Sequence, residues 1–245
     1  MFHFRSFTFY INLLSLRLLI YFTRSYPHTS VVLPSPCPTE VCIYYHNIHN
    51  YYLHSFIVNT YIVPLLGGNL FDRILQKSFY LRDDRVRNVF FQLINAVVFC
   101  NENSVYHRDI KPENIPCSED DSGIYLTDFG MSTQNETPTF HECGSMECMS
   151  PGMPDRRYST RTNDIWSLGV VLTTMVTRCA PWAMAVTTDY SFNPSLQDGD
   201  HLRRFLLGIS PGACTILKKI FRLEPRSHIS LADLQREITE LETFF

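Results

Sequence analysis

The sequence predicts an α+β fold in which a few short strands precede a mostly helical body. Residues 44–63 are rich in Tyr, Ile and Val with asparagines at turn positions, as in short strands. Residues 83–98 instead repeat apolar side chains at helical spacing. Two polar loops, at 106–115 and 125–130, interrupt this pattern. The helical body therefore acts as the frame, and the loops contain the candidate functional residues.

Length and composition fit a globular protein with one large domain or two lobes. The 245 residues are 45% hydrophobic and 18% charged, and a chain of this length can bury a full core. The net charge of -3 gives no reason to expect nucleic acid or anionic lipid as a partner. The eight cysteines show no C-x-x-C pair or zinc-like spacing. We expect reduced thiols and a cytoplasmic protein, with the nucleus as the alternative location.

Residues 1–43 are predicted to be an atypical N-terminal segment with a proline-rich linker. Residues 7–22 are apolar, but Asn12 and Arg17 interrupt them, and a membrane-spanning helix needs roughly 20 apolar residues. A signal peptide fits poorly because no small-x-small cleavage site follows. Four prolines lie between residues 27 and 38, and each removes a backbone donor, which favours a linker.

The first long helix is predicted to begin at Asp83 and Asp84, which can cap it. Its apolar residues recur at i, i+3, i+4 and i+7 and should face the core. They are Val86, Val89, Phe90, Leu93, Ile94, Val97 and Val98. Between the two polar loops, residues 118–123 are predicted to form a turn, and residues 124–127 a strand that leads to Asp128.

Four more helices are predicted in the rest of the chain. A long buried helix begins at Asp164 and runs through Met175. The other three cover residues 201–207, 211–223 and 231–241. Ser230 can cap the last one, with Asp233 at the spacing of a capping box. Residues 182–200 lack periodicity and are predicted to be a surface loop.

The two polar loops carry the side chains that phosphoryl transfer needs. The first reads Y-H-R-D-I-K-P-E-N-I and the second Y-L-T-D-F-G. Asp109 can orient an acceptor hydroxyl and take its proton, while Lys111 can place a positive charge against phosphoryl oxygens. Asn114 and Asp128 offer the oxygen ligands that Mg²⁺ requires. Two such motifs in this order are a specific signal.

These runs resemble eukaryotic serine/threonine protein kinases, in particular fungal kinases that regulate meiosis and nutrient response. Further matching runs are G-G-N-L-F-D from Gly67, G-S from Gly144 and Y-S-T-R-T-N-D-I-W-S-L-G from Tyr158. The resemblance implies a protein-kinase-like fold with its mostly helical C-lobe at residues 67–245. Residues 44–66 would then be the strands and hinge of a truncated N-lobe.

The resemblance also implies a role for each site residue. Asp109 would be the catalytic base, Lys111 a phosphate contact, and Asn114 and Asp128 the metal ligands. ATP and Mg²⁺ would be the cofactors, and proteins with Ser or Thr acceptors the partners, without nucleic acid or membrane. The residues expected to bind the nucleotide are Ile62, Val63, Leu65, Glu113, Asn114, Pro116, Thr127 and Asp128.

Two further residues have expected roles in such a kinase. The counterpart of Asp164 accepts backbone N–H groups of the catalytic loop, although an ordinary helix N-cap would place an Asp there as well. Arg108 beside the base suggests control by phosphorylation. The candidate acceptors are Thr133, Thr137 and Thr139.

The chain departs from the kinase pattern before the hinge. Its first glycine is Gly67 and its first lysine is Lys77, so neither the Gly-rich loop nor the β3 lysine of the nucleotide site precedes the hinge. Three interpretations follow. The favoured one is a serine/threonine kinase whose N-lobe is incomplete in this sequence. The second is a pseudokinase or scaffold without activity, and the third, based on residues 7–22 alone, is a membrane-anchored or secreted interaction protein.

Overall fold

The computed structural model describes residues 68–118, 123–137, 144–151, 159–193, 201–206, 208–224 and 227–245, with the backbone of 8–10 and 42–44. In these ranges, helices joined by turns and loops surround a common apolar core. The helices are α1 (Leu70–Leu75), α2 (Asp83–Glu102), α3 (Thr160–Thr177), α4 (His201–Phe205), α5 (Pro211–Ile220) and α6 (Leu231–Glu240). The mostly helical body agrees with the prediction.

Two three-residue strands, β1 (Thr8–Tyr10) and β2 (Cys42–Tyr44), pair in the antiparallel direction. Thr8 lies opposite Tyr44, and Tyr10 lies opposite Cys42. The strands predicted for residues 44–63 lie, apart from Tyr44, outside the described residues.

Helix α3 lies at the centre of the core, and both α2 and α5 pack against it. The predicted apolar stripe of α2 is buried, with Val98 only partly so. On α3, Gly169 is the point of closest approach to α5. A Cβ at Gly169 would lie 2.6 Å from Ile220 and 2.7 Å from Phe221. The two helices can therefore approach this closely only because α3 has no side chain there.

Helix α3 begins earlier than the sequence predicted. Its N-cap position is Ser159, and Asp164 lies inside the helix with its side chain fully buried. The alternative interpretation of Asp164 as an ordinary helix cap is therefore wrong.

The predicted surface loop at residues 182–200 is right in part: its described residues, 182–193, form mostly irregular turns with exposed residues such as Thr187 and Tyr190, but part of the segment is buried. Trp182 and Phe192 are buried, and the rings of both pack against Trp166 of α3. The segment folds around Asp189, whose carboxylate accepts four backbone N–H groups. This irregular turn spaces its buried residues unevenly, so that no periodic signal marks it in the sequence.

The strand predicted for residues 124–127 is reduced to an isolated bridge between Ile124 and Cys117. The N–H of Tyr125 donates to the carbonyl of Pro116 at 2.9 Å. Pro116 has no N–H with which to return the bond, so the ladder cannot continue in that direction. Most of the predicted turn, residues 119–122, lies outside the described residues.

The last three helices are found where they were predicted, each ending one to three residues earlier. Ser230 caps α6 as expected, because its Oγ accepts the N–H of Asp233 at 3.0 Å. Several cysteines in the described ranges are free thiols, namely Cys100, Cys117, Cys148, Cys179 and Cys214. Among the helices given above, none is both long and apolar enough to cross a membrane.

The predicted caps of α2 are wrong, because Arg82 occupies the N-cap position without a side-chain capping bond. Asp83 instead accepts hydrogen bonds from the N–H of Phe244 at 2.5 Å and from the hydroxyl of Thr243 at 2.8 Å. Asp84 forms an exposed ion pair with Arg82. Through its bonds to Thr243 and Phe244, Asp83 holds the C-terminal residues, including the fully buried Phe244, against the start of α2.

This difference between two adjacent carboxylates can be measured. We expect Asp83→Ala to lower the free energy of unfolding by about 1–3 kcal/mol, since it leaves buried donors unpaired. Asp84→Ala is the matched control, because it removes the same charge from the same helical turn and loses only an exposed pair. Urea unfolding of both variants tests this, and equal midpoints would contradict the role given to Asp83.

Candidate functional site

The first polar loop is held to the core by Asp164 of α3. Its carboxylate accepts the backbone N–H groups of His107 and Arg108, each at 2.8 Å. The expected structural role of Asp164 is thus confirmed. Burial raises the pKa of Asp164 to about 7, although the two N–H donors favour its charged form.

His107 connects the first loop to the second. Its Nε2 lies 2.9 Å from the carbonyl oxygen of Thr127, and its Nδ1 accepts the N–H of Asp109 at 3.2 Å. Because a carbonyl only accepts, the proton of the neutral ring is on Nε2. Burial lowers the pKa of His107 to about 4, which keeps the ring neutral. The ring also packs against Phe129 with centroids 4.5 Å apart.

Asp109 is the centre of a group of hydrogen-bonded side chains, called here the Asp109 cluster, with Lys111, Asn114 and Ser145. Its Oδ1 accepts the backbone N–H of Ser145 at 2.9 Å and the hydroxyl of Ser145 at 3.0 Å. Its Oδ2 accepts Nδ2 of Asn114 at 3.0 Å and lies 3.1 Å from Nζ of Lys111. Asp109 is only 7% exposed, so these donors replace water around its carboxylate.

Lys111 carries the positive charge of the cluster. Its Nζ donates to Oγ of Ser145 at 2.7 Å in addition to its ion pair with Asp109. Burial alone would lower the pKa of Lys111, but the nearby carboxylates, Asp109 first among them, raise it overall. The ammonium group therefore stays charged and remains partly open to solvent, with 24% of the side chain exposed.

Ser145 is a member of the cluster that was absent from the predicted site residues. The preceding Gly144 has φ +110, and a Cβ there would lie 2.5 Å from the carbonyl oxygen of Arg108. Only glycine allows the chain to pass this close and bring Ser145 to Asp109. The sequence signal was the Gly-Ser pair itself, which marks the resemblance to serine/threonine kinases without showing where the hydroxyl points.

Asn114 and Asp128 provide a donor set that suits Mg²⁺. Nδ2 of Asn114 faces Asp109, to whose carbonyl it also donates at 2.9 Å, so its amide oxygen points elsewhere. Asp128 adopts a left-handed backbone conformation with φ 61, and its carboxylate accepts only a long N–H bond of 3.4 Å from Gly130. The described residues hold no group of three His, Cys, Asp or Glu side chains placed for a metal. One amide and one carboxylate suit Mg²⁺, which takes its remaining ligands from water and phosphate.

The other residues predicted to bind nucleotide have varied surroundings. Glu113 is exposed, and Pro116 is partly buried in a bridge with Asn69, just after the predicted hinge. The hydroxyl of Thr127 donates to the carbonyl of Asn114 at 3.0 Å, so it supports the loop from inside. The hinge residues Ile62, Val63 and Leu65 lie outside the described residues, and their role stays a prediction.

The predicted control by phosphorylation concerns three threonines. Thr133 exchanges both backbone hydrogen bonds with Tyr106, at 2.9 and 3.0 Å, whereas Thr137 is exposed. Thr139 lies outside the described residues. Arg108, the expected phosphate partner, is largely buried. This control stays a prediction.

Comparison with known proteins gives one consistent answer. Residues 40–238 match the family model described as the protein kinase domain. The chain is 31% identical over 193 residues to a negative regulator of sexual conjugation and meiosis from Schizosaccharomyces pombe, covering 69% of this chain and 41% of that protein. It is 31% identical over 211 residues to the serine/threonine-protein kinase SKS1 of Saccharomyces cerevisiae, covering 78% and 42%. It is 34% identical over 175 residues to CBL-interacting protein kinase 21 of Oryza sativa subsp. japonica, covering 69% and 32%. The chain spans less than half the length of these curated relatives.

The raised pKa of Asp164 predicts a pH-dependent stability. Between about 3.9, the pKa of an unfolded Asp, and about 7, the folded state binds a proton that the unfolded state does not. The stabilising contribution of Asp164 is therefore lost as pH rises towards 7. Relative to Asp164→Asn, which cannot titrate, wild type should lose up to about 1.4 kcal/mol of unfolding free energy per pH unit in this range.

The matched control for this measurement is Asp189→Asn. Burial opposes the shift at Asp189, but its four backbone donors lower the pKa overall. Its contribution is therefore constant above the pKa of an unfolded Asp and is lost only in acid. The difference in unfolding free energy between wild type and Asp189→Asn, measured with urea, should stay constant between about pH 5 and 8. If the difference between wild type and Asp164→Asn were also constant with pH, the raised pKa of Asp164 would be contradicted.

Proposed function

Because this chain belongs to the protein kinase family, we propose that it transfers the γ-phosphoryl group of MgATP to Ser or Thr hydroxyls of proteins, in the cytoplasm or nucleus. The observation that carries the proposal is the Asp109 cluster. It joins a carboxylate, an ammonium group and a hydroxyl within hydrogen-bond distance, beside a donor set that suits Mg²⁺. This combination serves phosphoryl transfer and has no simple structural purpose.

Asp109 would act as the catalytic base. Its four donors fix the direction of both oxygens. A substrate hydroxyl must displace one donor to reach it. The hydroxyl of Ser145 is the donor that a substrate hydroxyl could replace like for like, while the backbone N–H of Ser145 keeps its bond. Asp109 would then hold the acceptor hydroxyl in place and take its proton.

Lys111, Asn114 and Asp128 would meet the nucleotide. MgATP supplies the phosphoryl group and the metal that neutralises its charge. The amide oxygen of Asn114 and the carboxylate of Asp128 would hold the metal. Lys111, which stays charged next to Asp109, would place its ammonium group against phosphoryl oxygens as negative charge shifts between them.

A second candidate function is a non-catalytic scaffold, a pseudokinase. One observation favours it, namely that no glycine precedes Gly67 and no lysine precedes Lys77 in the sequence. We propose that residues 44–66 are a truncated N-lobe and hinge, which would leave the nucleotide without its usual covering loop and phosphate lysine. The phosphate-facing half of the site would then depend on the loops of the helical body.

Substitution of the proposed base tests the kinase function. Asp109→Asn keeps the shape of the side chain but removes proton acceptance, so we expect phosphorylation of a mixed Ser/Thr peptide library to fall by about 10²- to 10⁴-fold. Asp84→Asn, an exposed carboxylate in α2, should leave the rate unchanged. Equal rates for Asp109→Asn and wild type would overturn the assignment. A folded wild-type chain without any transfer would favour the scaffold.

Nucleotide affinity tests the proposed truncation. We expect this 245-residue chain to bind ATP only with Mg²⁺ and more weakly than about 1 μM, because that affinity requires roughly -8 kcal/mol. Asp128→Asn should remove most of the Mg²⁺ dependence. Calorimetry that finds micromolar or tighter binding would mean that residues before Gly67 supply the missing phosphate contacts.

A further inference from the structure

The hydroxyl of Ser145 has the surroundings of a phosphoryl acceptor. It donates to Oδ1 of Asp109 at 3.0 Å and accepts from Nζ of Lys111 at 2.7 Å. A general base must lie within about 2.6–3.2 Å of the group whose proton it takes. Ser145 meets this condition without any substrate, and the same ammonium group that contacts it is the one proposed to contact the phosphoryl oxygens.

Ser145 is also held firmly in this position. Its backbone N–H is bonded to Asp109, and Gly144 before it fits closely against Arg108. After it comes the short 3₁₀ turn Met146–Cys148, whose last carbonyl accepts the hydroxyl of Ser167 on α3 at 2.8 Å. An acceptor fixed on both sides has little orientational freedom to lose on the way to reaction.

Other hydroxyls near the loops are committed elsewhere. Thr127 donates to the carbonyl of Asn114, and the hydroxyl of Thr133 accepts the N–H of Asn135. Among the described hydrogen bonds, Ser145 provides the only hydroxyl to the Asp109 carboxylate. The geometry therefore selects one acceptor among the residues that the structure describes.

We propose that Ser145 is an autophosphorylation site, modified within its own molecule by the Asp109 cluster; this proposal rests on the proposed function. The oxygen Oγ of Ser145 forms a bond to the γ-phosphorus of ATP. The bond from that phosphorus to the β,γ-bridging oxygen breaks, and its electron pair leaves with ADP. The proton of the hydroxyl passes to Oδ1 of Asp109, which later releases it to water.

The product would inhibit its own formation. A phosphate on Oγ carries about -1.5 to -2 charge at neutral pH, next to a carboxylate whose oxygen lies 3.0 Å from Oγ. Lys111 would then be shared between two anionic groups, and repulsion would drive the modified Ser145 away from Asp109. Each molecule would react once, and its cluster would lose the contacts that orient the base.

The decisive experiment follows phosphate on the peptide that contains Ser145 by mass spectrometry, after incubation with MgATP and with or without a Ser/Thr peptide library. We expect labelling at Ser145 with a rate per molecule that is independent of protein concentration, and slower labelling with excess peptide. Ser145→Thr keeps the hydroxyl and should move the label from phosphoserine to phosphothreonine in the same peptide. Asp109→Asn should label neither.

The outcomes separate this proposal from the kinase function. Labelled library peptides with unlabelled Ser145 would overturn the autophosphorylation site and leave the kinase function standing. A labelling rate that rises with protein concentration would overturn the intramolecular step. A folded chain that labels neither acceptor would overturn both proposals.

A nucleotide-free measurement tests the repulsion. Ser145→Asp places a carboxylate beside Asp109, while Ser145→Asn has nearly the same shape without the charge. We expect a lower urea midpoint for Ser145→Asp than for Ser145→Asn. Equal midpoints would overturn the claim that the modified residue is driven from the cluster.

Discussion

The carboxylate of Asp164 joins the candidate site to the hydrophobic core. It has no exposure to solvent, and its two backbone bonds fix consecutive residues of the first polar loop. Helix α3 is held in turn by α2 and α5. The position of Asp109, the proposed base, therefore depends on helix packing, which is far stiffer than a free loop. Burying a carboxylate is unfavourable unless it is hydrogen-bonded. Here the hydrogen bonds of the buried Asp164 carboxylate hold the first polar loop in place.

A second constraint comes from much later in the chain. Ser145 lies 36 positions after Asp109 yet supplies two of its hydrogen bonds. The contact depends on the left-handed conformation of Gly144 against the backbone of the first loop. The residues proposed for proton transfer, phosphate contact and metal binding therefore share one hydrogen-bonded group, in which a change at one member alters the others.

The parts of this protein that could be predicted from sequence are those that local rules determine. The stripe of α2 and the cap at Ser230 follow from periodicity and capping chemistry. The roles of Asp109 and Asp128, drawn from the residue types that phosphoryl transfer requires, stay predictions. Long-range partners were not visible. Asp83 looked like a helix cap because its real partner, Phe244, lies 161 positions away. The loop around Trp182 looked exposed because the burial of Trp182 and Phe192 comes from tertiary contacts, which leave no period in the sequence.

The aromatic residues of the core also make the molecule optically simple. Its two tryptophans, Trp166 and Trp182, have ring centroids 5.5 Å apart, and both are buried. Neither indole N–H has a hydrogen-bond partner. Intrinsic tryptophan fluorescence thus arises from a single buried aromatic location at α3. A shift of its emission to longer wavelength reports the opening of the core.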